Sequence, residues 1–277
     1  MISLIINADD LGINANRDRG ILEAFEHGIV TSASLLANGP SFATAVAQVK
    51  EAGLPVGVHL NLADGSSLTG QIKGLTDADG HLPGKQKLRQ HLAAGVCDHA
   101  AIRNELAAQI ECFFDAGLQP DHLDSHQHIQ LYPCLTNMVA ELALAFGIYA
   151  MRRALPAEPA TQDPDGPLGE ELVLYRRLNQ DTHAKTINAG IKTPDALWGM
   201  PLLNRLDTTS LCQLLENLNE GCWELMTHPG YPFDLARLFD GPQRQFELQA
   251  LLSVEAKEII TRRRIRMCTF GDLLCAS

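Results

Sequence analysis

Apolar and polar positions alternate along the chain in short blocks whose period changes from one block to the next. Residues 2–8 form a brief apolar run that stops at Asp9 and Asp10, the pattern of a strand buried on both faces. Helical spacing follows over 14–27, with Asn14 as N-cap and Gly28 just past the end. Further strands are predicted at 29–36, 56–62, 122–125, 148–152, 223–227 and 265–270. Further helices are predicted at 40–53, 100–116, 133–146, 206–219 and 243–262. The stripe is clearest in 100–116, where Ile102, Leu106, Ile110 and Phe113 share one face before Gly117. Residues 64–95 are glycine-rich with little periodicity and read as a long loop or insertion. Residues 156–169, rich in Pro, Asp and Gly, read as surface loop, and 170–200 show no pattern that places them, so 156–200 counts as irregular.

Strand and helix alternate throughout, which predicts an α/β fold with parallel strands. About six or seven such units suggest a distorted or incomplete (β/α) barrel, residues 1–277 forming one domain. An open doubly wound sheet is the alternative.

The ionisable residues cluster by position. Asp9-Asp10, His59, the set His122/Asp124/His126/His128, Arg152 and His228 all fall at the C-terminal ends of predicted strands, and those ends converge on one face of a parallel α/β fold. Adjacent carboxylates leaving a strand diverge unless the backbone turns, so one can bind a metal while its neighbour acts as a base; a helix-capping pair is the bland alternative. His59, between Val58 and Leu60, is either a ligand or a core histidine satisfied by a carbonyl. Three histidines and an aspartate within 122–128 point to a metal or a proton-transfer site, and imidazole with carboxylate suits Zn, Co, Ni or Mn. In Thr227-His228-Pro229-Gly230, the turn after the histidine holds an imidazole at the mouth of a site or simply ends a strand.

Composition narrows the partners. With 22 Lys+Arg against 33 Asp+Glu the net charge is -11, and the densest basic run, Arg262 to Arg266, reads as the cationic end of a helix. Nucleic acid is therefore not an expected partner. No apolar stretch approaches the roughly 18–20 residues of a membrane span. The start lacks a basic region before its apolar run, and the seven scattered cysteines include no CxxC, so a cytoplasmic location with reduced thiols is expected. Nucleotide-binding glycine motifs and GxSxG are absent.

The segments NADDLG, GIVTSASLLANGP, VGVHLNL, HLDSHQHIQLYP and THPGY, in this order, resemble the YdjC-like carbohydrate deacetylase family. The resemblance covers most of 2–152 and resumes around 222–272. It implies a distorted (β/α) barrel that hydrolyses N-acetyl groups of sugars with one divalent metal ion, magnesium by family habit. It also implies Asp10, His59 and His126 as ligands, Asp9 as base and His228 as acid, donating as imidazolium to the leaving amine. Asn7, Asp124, His128 and Arg152 would bind substrate or orient the ligands. The family often carries a histidine where this chain has Gln130. Alternatives are a metal-dependent hydrolase or isomerase acting on another sugar or glycolipid derivative, and a non-catalytic carbohydrate-binding relative. The expected partner is a small acetylated carbohydrate, with a homodimer as the ordinary assembly.

Overall fold

A computed structural model describes residues 1–160, 168–234 and 238–275. Its centre is β1 (Ile2–Leu11), flanked on one edge by β6 (Gly221–Thr227) and on the other by β2 (Ser32–Leu35) and the two-residue β7 (Arg266–Met267). Beyond β2 lie β3 (Val56–Leu60) and β4 (Leu123–Ser125), and beyond β6 lies β5 (Ala196–Trp198). The order β4-β3-β2-β1-β6-β5 is parallel throughout and curls into a half-barrel wrapped by helices. The incomplete barrel expected from the alternating pattern is therefore the observed architecture.

Alternation along each strand explains why one face is greasy and the other reactive. Leu4, Ile6 and Ala8 of β1, Ala33 and Leu35 of β2, and Val56, Val58 and Leu60 of β3 join the main apolar core. The intervening positions face the other way. Ile5 packs with Ala150, Cys268 and Phe270, and further along the same face of β1 come Asn7 and Asp9. Register carries this face across the sheet, pairing Ile5 with Glu224, Asn7 with Ser32, and His59 with Asp124. The inner face thus changes from apolar to acidic towards the C-terminal ends. Gly57 leaves room there for His122, whose ring a Cβ at residue 57 would approach to 2.4 Å.

The helices are α1 (Ala15–Glu26), α2 (Phe42–Ala52), α3 (Lys85–Ala94), α4 (His99–Asp115), α5 (Pro133–Ala145), α6 (Glu170–Asn188), α7 (Thr208–Asn217), α8 (Gln243–Leu252), α9 (Val254–Arg263) and α10 (Asp272–Cys275). Several differ from expectation. α3 lies inside the segment 64–95 read as loop, and within this helix only Leu88 and Leu92 are buried. α6 and β5 occupy the segment that had no pattern. The buried face of α6 includes Asn179, Thr182 and Thr186 besides Leu172 and Tyr175, so its inward stripe is largely polar and carries no apolar period. The helix predicted over 243–262 is two helices, because extended Ser253 (ψ 144) ends α8 and its Oγ caps α9 through the Ala256 amide.

The strand predicted at 148–152 is only a set of bridges, Leu123 to Met151 and Ala150 to Lys192, while 265–270 contributes just β7. Of the loop predicted at 156–169, residues 161–167 lie outside the described residues. Among the described residues, no helix is long and apolar enough to cross a membrane.

Candidate active site

Asp9 and Asp10 point apart because β1 shifts register between Ala8 and Leu11 and Asp10 takes φ 67°. Such a bulge re-aims one side chain relative to its neighbour. Asp9 turns under the sheet to Arg152, whose Nη1 and Nη2 donate to its two oxygens at 2.7 and 2.6 Å. Asn7 Nδ2 donates to Asp9 Oδ1 at 2.8 Å and to Ser34 Oγ at 2.7 Å. Asp10 turns instead to two histidines.

Asp10 Oδ1 lies 3.0 Å from His126 Nδ1 and 3.5 Å from His59 Nε2, yet accepts no hydrogen bond. Each ring uses its other nitrogen on a different carboxylate: His59 Nδ1 meets Asp124 Oδ1 at 2.7 Å, and His126 Nε2 meets Asp64 Oδ2 at 2.8 Å. Asp10 Oδ2 is 3.3 Å from Arg17 Nη1. The ligand atoms of Asp10, His59 and His126 all lie within 4.8 Å of one another. An orphaned buried carboxylate oxygen facing two imidazole nitrogens, each ring oriented by a carboxylate behind it, fits a divalent cation.

The electrostatics agree with that fit. Burial works against a charged ring, but Asp124 and Asp10 push His59 up to about 10. Against the same penalty, Asp10 and Asp64 push His126 up to about 9. Burial would raise Asp10, yet His126 and His59 hold it well below the usual carboxylate range. The carboxylates around these two rings therefore favour positive charge between them.

His228 follows β6 and stands on the opposite side, its Nε2 4.0 Å from Asp9 Oδ2. Its backbone is pinned, the N–H donating to Glu247 Oε1 at 2.7 Å and the carbonyl accepting from Arg244 Nη1 at 3.0 Å. Burial, reinforced by Arg244, Arg17 and Arg152, drives the ring well below its ordinary pKa. Its surroundings thus favour the neutral ring over the imidazolium.

A cleft of about 920 Å³ opens over Asp9, Asp10, His59, His126 and His228. His128 also lines it; φ 54° turns the ring onto the edge of Tyr175 at 5.1 Å, and its Nδ1 has no partner among the described residues. Asn7, Asp124 and Arg152 lie behind Asp9 and His59 and do not line the cleft. His122 stays inside the barrel, stacked on Phe270 at 3.8 Å and bonded to Asp121 and Ser34. Gln130 joins Ser125 below the cleft. Sequence reasoning missed Ser34, Arg17, Asp64, Glu224 and Glu247. Glu224 left a signal, an acid inside a strand otherwise read as buried; Arg17 and Asp64 left none.

The YdjC-like protein family matches residues 3–262. The chain belongs to that family. A Xenopus laevis relative named carbohydrate deacetylase is 28% identical, with 98% of each chain covered. A Brevibacillus brevis relative of the same name is 30% identical, covering 98% of this chain and 100% of its own. A crystal structure described as a cellobiose-phosphate cleavage protein from Enterococcus faecalis superimposes with a TM-score of 0.77, at 27% identity and 98% of each chain. The YdjC-like assignment therefore spans both halves of the site, Asp9 to His128 and Arg152 to His228.

Proposed function

We propose that this YdjC-like chain, as one domain, is a metal-dependent hydrolase that removes N-acetyl groups from a small sugar or oligosaccharide. The observation that carries the reading is the convergence of Asp10 Oδ1, His59 Nε2 and His126 Nδ1 beside Asp9, with His228 across the cleft. The relatives' shared name, carbohydrate deacetylase, supports the choice of acyl group and substrate class. A divalent cation held by Asp10, His59 and His126 would supply Lewis acidity for the acetyl carbonyl and for water. Imidazole ligands favour Zn, Co, Ni or Mn, and family habit favours magnesium.

The chain's own groups then move the protons. Asp9, kept in place by Arg152 and Asn7, takes one proton from a water as its oxygen bonds to the acyl carbon. His228, whose surroundings favour the neutral ring, takes that same proton from Asp9, 4.0 Å away, and passes it to the departing nitrogen as the C–N bond breaks. Acetate and a free amine leave. His128, with its unpartnered Nδ1 in the cleft, is placed to bond a sugar hydroxyl.

Acetate release from a panel of N-acetylated sugars, with protein stripped of metal and reloaded, tests this reading. Acetate that appears only with metal is the expected result. No acetate with any metal or sugar, from protein that binds metal, would overturn it.

A further inference from the structure

Arg152 is a fully buried guanidinium, and each of its three nitrogens donates to a carboxylate oxygen. Nε and Nη2 reach Glu224 Oε1 at 2.7 and 2.6 Å. Nη2 and Nη1 reach the two Asp9 oxygens at 2.6 and 2.7 Å, and Nη1 also reaches Asp124 Oδ2 at 2.7 Å. The fork is held from two sides, with Glu224 at one end and the candidate base at the other.

We propose that Glu224 is a positioning residue for the deacetylation read above: as a hydrogen-bond acceptor whose charge is dispensable, it locks Arg152 and thereby fixes the carboxylate of Asp9. This rests on Asp9 being the base. Without Glu224, the Nε–H would be buried and unpaired and Nη2 would lose a close ion pair, and the guanidinium would turn to find partners. Asp9 would turn with it, because both its oxygens are tied to the same planar group.

The charge count explains why the acceptor, not the anion, is what matters. Three buried carboxylates crowd one guanidinium, and only Asp124 has a further cationic partner in His59, so full ionisation would leave negative charge in excess in the barrel. Glu224 Oε2 receives no hydrogen bond at all. Burial pushes the Glu224 carboxyl up to about 7; Arg152 opposes this, and Asp9 and Asp124 add to it. Its strand partners, Ile5 of β1 and Leu197 of β5, are apolar and offer no further charge.

The test compares Glu224→Gln and Glu224→Leu with the unaltered holoenzyme. Glutamine keeps the acceptor oxygen and loses the charge; leucine fills similar space with neither. Two readouts are taken. The first is kcat and KM for acetate release. The second is the ¹⁵N–¹H signals of Arg152, which are resolved and slowly exchanging only when the guanidinium is held on all sides. Glu224→Gln is expected to keep the Arg152 signals and kcat within about threefold. Glu224→Leu is expected to lose the signals and to drop kcat at least 30-fold at nearly constant KM, with metal content unchanged.

Wild-type kcat in folded Glu224→Leu would overturn the proposal. So would a Glu224→Gln variant that keeps metal and Arg152 signals but is as inactive as Glu224→Leu, since charge would then be the requirement. Absence of acetate from the unaltered protein would instead count against the deacetylase reading. In that case the Arg152 signals of the two variants still decide whether Glu224 locks the guanidinium.

Discussion

Asp9 and Asp10 are neighbours in the chain with identical side chains, and the backbone alone separates their work. The left-handed φ of Asp10 sends one carboxylate to a guanidinium and the other to two imidazoles. Asp9→Asn is expected to keep metal and fold while turnover falls about 10²- to 10⁴-fold, the usual contribution of a positioned base. Parallel metal analysis and acetate assays check it, and full activity would remove Asp9 as the base. Arg152→Lys is expected to cost on the order of 10² in kcat, because an ammonium cannot reproduce the planar fork and a misplacement of about 1 Å suffices for that loss.

Glu224 also makes stability depend on pH. Its carboxyl titrates at about 7 when folded against an ordinary value of 4.5, so the folded protein holds the extra proton. The stabilisation is complete below the unfolded value and disappears as pH rises through the folded one. Urea unfolding at pH 5 and pH 8 should show a smaller loss on going to the higher pH in Glu224→Gln than in the unaltered protein.

At the scale of elements, the half-barrel presents its chemistry by bringing unrelated segments into contact with almost no clearance. Helix α1 meets the loop after β6 so closely that a Cβ on Gly20 would lie 2.4 Å from Gly230 Cα. Gly20→Ala should therefore cost about 1–3 kcal/mol through overpacking. It should also lower kcat more than it raises KM, since Gly230 is two residues from His228. Steady-state kinetics and thermal unfolding of this variant separate the two effects.

The segment 64–84 depends on one buried acid in α4. Glu105 accepts from the Leu68 and Thr69 amides, the Thr69 hydroxyl and Gln109, at 2.8–3.0 Å. Glu105→Ala should destabilise by about 1.5–3 kcal/mol, as loss of hydrogen bonds to a charged group does. Faster amide exchange at Leu68 and Thr69 would mark the released loop.

At the scale of the whole molecule, a cation held by the proposed ligands would be linked to the folding of the sheet. The candidate ligands come from β1, β3 and the turn after β4, so no ligand set exists before the sheet forms. A metal at about 100 times its dissociation constant adds about 2.7 kcal/mol of stability. In a chain of this size that corresponds to roughly 5–10 °C in Tm. Calorimetry with and without chelator should show that shift in the unaltered protein and abolish it in His126→Ala.

The sequence by itself determined the fold class and the reactive edge. Strongly apolar strands such as 2–8 and 56–62 admit few alternatives, and an acid or histidine at the end of each has nowhere to go but the convergent face. The ordered motifs added the family and, with it, an expected ligand set. Only the tertiary structure decided what depends on long-range contact. On the inward face of α6, Asn179 accepts from Arg153 and Thr182 and Thr186 bond back to their own helix, so no apolar period betrayed it. Asp64 reaches His126 from 62 residues away, and Arg152 meets Glu224 across 72. The divergence of Asp9 from Asp10 and the lowered pKa of His228 likewise depend on a bulge and on burial. Those are properties of the assembled barrel that local spacing does not encode.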